Sequence, residues 1–350
     1  MNRFGYLAAA IVACLAATGN AQTVKLSLQV GGKTRSCMVH VPSGATKAPL
    51  VFFVHGANGS GAAFESETKG DATADREKFI AAYPSASSDG SAGIWDDMQG
   101  TTNFPFFLAV IDTIDARYHI DRNKIYMTGF SQGGMISYVA SCSYSDVFAA
   151  VAPVSGHSNT TCTLKRPVPL FMTYGTSDVG PTSSFDADAK LWNNWNKCPS
   201  SPTVVRPYPA SSTNSGVTRI TYAPCDQGAV VIQDSIQGEG HQWPAANRLN
   251  QADEVWAFFK QYSLGATTGI HPEKRAAGPE SFSASYAAGM VSLGGVGENS
   301  RVQVTDTKGK LVASPALTEN RFSFKNRPTG VYLVEVRGSA GLLVSKFIVP

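Results

Sequence analysis

The sequence predicts an α/β fold with a mostly parallel sheet, followed by a small all-β module at its C-terminal end. Three observations carry this. Apolar runs alternate with segments of helical spacing between residues 49 and 262, the pattern of strand–helix–strand crossover units. The run Pro49 to Val54 is apolar at every position, as expected of a strand buried on both faces. After Ser263 this periodicity gives way to a stretch rich in Gly, Ala, Thr, Ser and Pro, and then to short strand-like runs.

In chain order, Arg3 precedes an apolar segment from Phe4 to Ala17, and Gly19-Asn20-Ala21 offers a small-residue cleavage site. Residues 1–21 therefore read as a signal peptide. A second reading is open: Ile11-Val12-Ala13-Cys14 has the form of a lipoprotein box, which would leave Cys14 as the lipidated first residue. Thr23 to Val30 and Arg35 to Val41 alternate apolar and polar residues around Gly31-Gly32, as a β-hairpin does. Helical spacing is expected over Ala74 to Ala82 and over Phe104 to Tyr118. Lys124 to Thr128 is a short strand, and a helix through Ala140 follows Gly129 to Gly134. Phe148 to Pro153, Val168 to Tyr174 and Val230 to Ile236 are strand candidates. Leu191 to Trp195 and Ala252 to Tyr262 are helical. The domain boundaries are then 22–263 for the α/β domain, 264–285 for a linker and 286–350 for the β-rich module.

Of the 350 residues, 43% are hydrophobic and 16% charged, which suits packed domains rather than disorder. The net charge is +3 and no Lys/Arg cluster runs along the chain, so nucleic acid is not an expected partner. Once Cys14 is set aside with the leader, Cys37, Cys142, Cys162, Cys198 and Cys225 remain. Export permits disulfides, and four of these cysteines form two bridges in any of three pairings. The sequence-local pairing is Cys142 with Cys162 and Cys198 with Cys225. Cys37, in a strand-like run, reads as a buried thiol.

The chemistry centres on Gly129-Phe130-Ser131-Gln132-Gly133, which matches G-x-S-x-G. The motif needs small residues because a sharp strand-to-helix turn must hold the serine clear of the sheet, with a helix N-terminus aimed at it. Here Ile125-Tyr126-Met127 precedes it and a helical segment follows. A serine hydroxyl needs a base. Of the six histidines, His241 lies in a glycine-flanked loop after a strand (Gly238 to Pro244) and follows both the serine and the candidate acid in chain order, as the base of this arrangement should. Asp178 follows a strand between the two and is the candidate to orient the imidazole, with Asp226 and Asp234 as fallbacks. Donors for a developing oxyanion are expected from the N–H groups of Ala57, in the loop after His55, and Gln132. The glycine-rich Gly56 to Gly61 loop lacks the Lys-Ser/Thr pair of a phosphate loop. Trp95 and Trp243 are candidate substrate-binding faces. No metal-ligand spacing is present and no cofactor is expected.

These segments resemble carbohydrate esterase family one, an α/β-hydrolase group whose fold is shared with extracellular polyhydroxybutyrate depolymerases and with feruloyl and acetylxylan esterases. The resemblance rests on Val54-His55-Gly56, Ala74 to Pro84, Gly129 to Met135, Phe148 to Gly156, Gly175 to Asp178 and Gly240 to Pro244, and covers Thr23 to about Tyr262. It implies Ser131, Asp178 and His241 as a triad, Ala57 and Gln132 as oxyanion positions, and the sequence-local cysteine pairing. The segment Asp96 to Phe107 departs from the family pattern. The C-terminal module resembles a type A sorting domain of the type IX secretion route, through Asp306 to Lys310, Gly330 to Val334 and Lys346 to Val349. That implies secretion or surface attachment in a Gram-negative bacterium, with the secretion machinery as a partner. The expected activity is hydrolysis of feruloyl or acetyl esters on xylan. The alternatives are a polyester depolymerase and an inactive carbohydrate-binding surface protein.

Overall fold

The computed structural model describes residues 20–96, 103–158, 164–180, 182–212 and 215–265, and in the C-terminal region 283–287, 289–294, 301–306, 311–338 and 341–349. The chain divides into two compact units, Met1–Pro272 and Glu273–Pro350. The leader expected over 1–21 lies almost wholly outside the described residues, as does most of the expected linker.

The first unit is built on a ten-stranded sheet. Its strands are β1 (Gln22–Val30), β2 (Lys33–Val41), β3 (Leu50–Val54), β4 (Ile80–Pro84), β5 (Ile125–Phe130), β6 (Ala150–Val154), β7 (Leu170–Gly175), β8 (Thr203–Val205), β9 (Val217–Tyr222) and β10 (Val231–Ile236). Their spatial order is β1-β2-β4-β3-β5-β6-β7-β10-β9-β8. The six central strands, β4 to β10 in that order, are parallel, and the two strands at each edge run antiparallel. The hairpin β1–β2 turns through Gly31 and Gly32, both at positive φ (59° and 75°), where a side chain would be strained.

Strand β3 shows why the centre of the sheet is apolar throughout. Leu50, Phe52 and Val54 join one core and Val51 and Phe53 join the other, because alternate residues face opposite sides. Helices α3 (Phe104–Tyr118), α4 (Gln132–Ser143) and α5 (Thr182–Trp195) contribute to the first core; α2 (Gly70–Glu77) and α6 (Gln251–Phe259) contribute to the second. α1 (Gly61–Thr68), capped by the Ser60 hydroxyl, adds Phe64 to the second core. The helix expected over Ala74 to Ala82 is corrected. Lys78, at positive φ, ends α2, and residues 80–84 form β4 between β2 and β3. Ala81 and Ala82 favour a helix on their own; pairing on both sides overrides that preference.

A polar cluster lies beside β2. His40 Nε2 is 3.0 Å from Asp75 Oδ1, and its Nδ1 lies 3.0 Å from Thr23 Oγ1 and 3.4 Å from Asp71 Oδ2. Tyr83 donates to Asp71. Burial, and then the neighbouring Asp71, push the Glu65 carboxyl up to about 7, against 4.5 for an ordinary glutamate, while Thr23 and His40 pull the other way. Between these values the folded chain holds more proton than the unfolded one, so this contribution to stability is full below about 4.5 and is lost as pH rises through about 7. Glu65→Gln is expected to flatten the fall in melting temperature between pH 4.5 and 7.5, read by calorimetry across that range. A wild-type melting temperature that rises through the interval would contradict it.

The second unit holds two antiparallel sheets. One has the order β11 (Ser283–Ala287), β12 (Met290–Gly294), β15 (Arg321–Ser323); the other, β14 (Leu311–Ala313), β13 (Arg301–Asp306), β16 (Gly330–Gly338), β17 (Gly341–Val349). Its own core gathers Val291, Val304, Phe322, Phe324, Tyr332 and Phe347. Strand β11 begins at Ser283, inside the stretch expected to be linker. Cys198 and Cys225 form a disulfide. Cys142 is also disulfide-bonded, and Cys162, its expected partner, lies outside the described residues. Cys37 is a buried free thiol.

Candidate active site

Ser131 sits between β5 and α4, at φ 53° and ψ −115°, a conformation disfavoured for any side chain. Two features hold it there. Its N–H donates to the Val154 carbonyl of β6, and Gly133 lets α4 start directly against β3. An added Cβ on Gly133 would lie 1.9 Å from the Val54 carbonyl oxygen. The loops after β7 and β10 bring the partners in from the same end of the sheet. His241 Nε2 lies 2.9 Å from Ser131 Oγ, and its Nδ1 lies 2.6 Å from Asp178 Oδ1. The Asp178 side chain is 1% exposed and the imidazole 27%. Asp178 Oδ1 also accepts the Val179 N–H, and its Oδ2 is buried without a hydrogen-bond partner. A buried carboxylate beside Nδ1 favours the tautomer that leaves Nε2 free to accept the serine proton.

The fallback aspartates are committed elsewhere. Asp234 is fully buried in a bidentate pair with Arg219, and Asp226 pairs with Lys197 at the surface. Two supports of His241 were not singled out from the sequence. The Phe130 ring lies 4.8 Å from the imidazole. Buried Glu239 accepts from Gln242 Nε2 and the Ala245 N–H, bracing the loop on either side of His241. The only signal for Glu239 is its place in Gly-Glu-Gly-His.

Ala57 lies in the turn after β3, and Gln132 is the first residue of α4, where the N–H has no partner within the helix. His55 shapes the turn from beneath. Its Nδ1–H donates to the Gly56 carbonyl (2.6 Å) and its Nε2 accepts the Ala86 N–H (3.1 Å), the pattern of a neutral ring, and burial holds its pKa below the ordinary value.

The substrate role expected for the two tryptophans is corrected. Trp95 is 2% exposed and Trp243 7%, so neither presents a face for stacking. Trp243 packs edge-on against Phe64 within the second core. Trp95 is a brace: its indole N–H donates to the His55 carbonyl (2.9 Å) and its backbone N–H to Gln132 Oε1 (3.2 Å). It thereby ties the turn that carries Ala57 to Gln132 at the start of α4.

Residues 35–163 match the family model described as Esterase PHB depolymerase, and residues 287–350 match the Secretion system C-terminal sorting domain. The chain carries a PHB-depolymerase-type esterase domain. This esterase domain resembles a bifunctional acetylxylan esterase/xylanase of Neocallimastix patriciarum, 31% identical over 236 residues that cover 67% of this chain and 34% of that protein. It also resembles feruloyl esterase B of Piromyces equi, 28% identical over 271 residues, covering 66% and 46%. The chain thus spans a third to a half of the length of these relatives. The acetyl xylan esterase from Aspergillus awamori superposes with a TM-score of 0.55 at 18% identity, over 68% of this chain and 99% of that one. The esterase domain therefore has the α/β-hydrolase fold. The sorting domain marks the protein as bacterial and secreted or attached to the cell surface, where disulfides persist.

Proposed function

We propose that the protein is a serine carboxylester hydrolase that removes feruloyl or acetyl groups from plant cell-wall polysaccharide. The observation that carries this is the chain of two hydrogen bonds, Asp178 to His241 to Ser131, at the carboxyl end of the parallel strands. His241 takes the Ser131 proton as Oγ attacks the ester carbonyl. The N–H groups of Ala57 and Gln132 receive the oxyanion. His241 then protonates the leaving sugar hydroxyl, and the acyl group stays on Ser131. Water, deprotonated by the same imidazole, releases the acid. Asp178 keeps the imidazole oriented and balances its charge, and Trp95 ties the turn of Ala57 to Gln132. The sugar ester is favoured by the acetylxylan and feruloyl esterases among the relatives.

The test is product analysis after incubation with acetylated xylan, feruloylated xylan and a short-chain polyhydroxyalkanoate. Mass spectrometry of acid-quenched protein accompanies it, to look for an acyl adduct on the peptide holding Ser131. Acetate or ferulate release with that adduct is expected. Release of hydroxyacid alone would replace the polysaccharide with a polyester, and no product from any ester would leave an inactive binding protein.

A further inference from the structure

Close to Trp95, between the residues on either side of it in the chain, Ile94 and Asp96, and the start of β2, lies an open cleft of about 850 Å³. The start of β2 and the loop after β4 form it, with Thr34, Ser87 and Ser88 in its walls and Arg35 in its lining. It is coupled to the oxyanion region: Ala86, in the same wall, donates to His55, and the Arg35 guanidinium lies over the Trp95 ring at 5.8 Å.

Arg35 is the unusual element. It is 5% exposed, it rests on the Phe106 ring at 4.7 Å, and its Nε is buried without a hydrogen-bond partner. Among the described residues its side chain donates one hydrogen bond, from a terminal nitrogen to the neutral Asn103 amide oxygen, at 3.3 Å. Among the described residues it has no salt bridge. The carboxylate that acts on it through space, Asp96, pairs instead with Lys33 at the rim. Asp89, the other acid in the lining, is exposed, and its Oδ1 accepts the Ser91 N–H. Burial depresses the Arg35 pKa. A buried guanidinium with no carboxylate in direct contact is costly, and its planar donors match a carboxylate.

We infer that this cleft is a binding subsite for an acidic sugar, a uronic acid unit of the polysaccharide, whose carboxylate pairs with Arg35 and whose hydroxyls meet Thr34, Ser87 and Ser88. The inference rests on the polysaccharide-esterase reading, since the same glycan would carry the ester to Ser131.

Calorimetric titration of the full chain tests it with two unesterified sugars: xylotetraose bearing one glucuronic acid branch, and unsubstituted xylotetraose. The acidic sugar is expected to bind about tenfold more tightly, as one charged pair provides. That preference should vanish in Arg35→Met, and Ser88→Trp, which fills the cleft from an exposed position, should weaken both sugars. Equal affinity for the two sugars, no binding of either, or a preference that survives Arg35→Met overturns the assignment. If Arg35→Met fails to fold, the wild-type preference and the weakening of both sugars in Ser88→Trp decide. Hydrolysis of p-nitrophenyl acetate, measured in parallel, reports on the esterase alone. Sugar binding without hydrolysis would sink the esterase reading and leave the cleft; hydrolysis without a preference for the acidic sugar would do the reverse.

Discussion

Replacing Ser131 with alanine is expected to lower kcat for p-nitrophenyl acetate by about 10⁴- to 10⁶-fold, the range for losing the nucleophile of a hydrogen-bonded Ser-His-Asp set. The effect is this large because the hydroxyl makes the bond to the acyl carbon, and no other group at the site stands where Oγ does. What survives comes from the oxyanion donors and from binding alone. The fold should not change. Alanine inherits the strained φ of 53°, and the lost oxygen faces a partly exposed imidazole rather than the core. Removing His241 as well should cost little more, since the two groups act as a unit. Steady-state rates of Ser131→Ala, His241→Ala and the double variant, with melting temperatures alongside, make the check. A Ser131→Ala protein that keeps a tenth of the wild-type rate would remove Ser131 from the reaction.

Gly133→Ala is expected to destabilise the esterase domain by about 3 kcal/mol or more, the upper end of the overpacking range. That corresponds to a fall in melting temperature of roughly 6–12 °C for a domain of this size. The new methyl would sit 1.9 Å from the Val54 oxygen and 2.9 Å from the His55 oxygen, both backbone atoms of the central strand and its loop. Neither swings aside as a flexible side chain would. Relief requires α4 to retreat from β3, which carries Gln132 away from Ala57 and tilts Ser131 from His241. Activity should therefore fall further than stability accounts for. Gly240→Ala is the control. Its Cβ would meet only the Ser177 oxygen at 3.9 Å, so it should melt within a degree or two of wild type although it adjoins His241. Thermal unfolding and kcat of both variants decide it; a Gly133→Ala protein as stable as Gly240→Ala would show that α4 is not held against β3.

Periodicity made much of the fold legible. The residues of β3 are apolar throughout and those of β5 and β7 mostly so, in runs too short for helices, and α3 shows its buried face at every third or fourth position. Where it failed, tertiary pairing had overruled local preference. Ala81 and Ala82 suit a helix alone and a strand only because β2 and β3 flank them. The edge strands β8 and β9, mostly half-exposed, carry too weak an alternation to stand out. At the site, Ser131, Asp178 and His241 were readable because chain order and strand ends are properties of the sequence. The tryptophans were not, because an indole has the same letter whether it lies open to a sugar or seals a loop.

The sequence by itself determined the kind of fold, the order of the three polar side chains and the presence of a sorting module. Each follows from local pattern or motif. Only the tertiary structure decided what depends on distances between segments far apart in the chain: that His241 spans Ser131 and Asp178, that Trp95 ties the turn of Ala57 to Gln132, and that Arg35 lies buried at the wall of a cleft with no salt bridge among the described residues. Burial and pairing are set by which strands become neighbours, and that order, with β4 lying between β2 and β3, is written in no single stretch of residues.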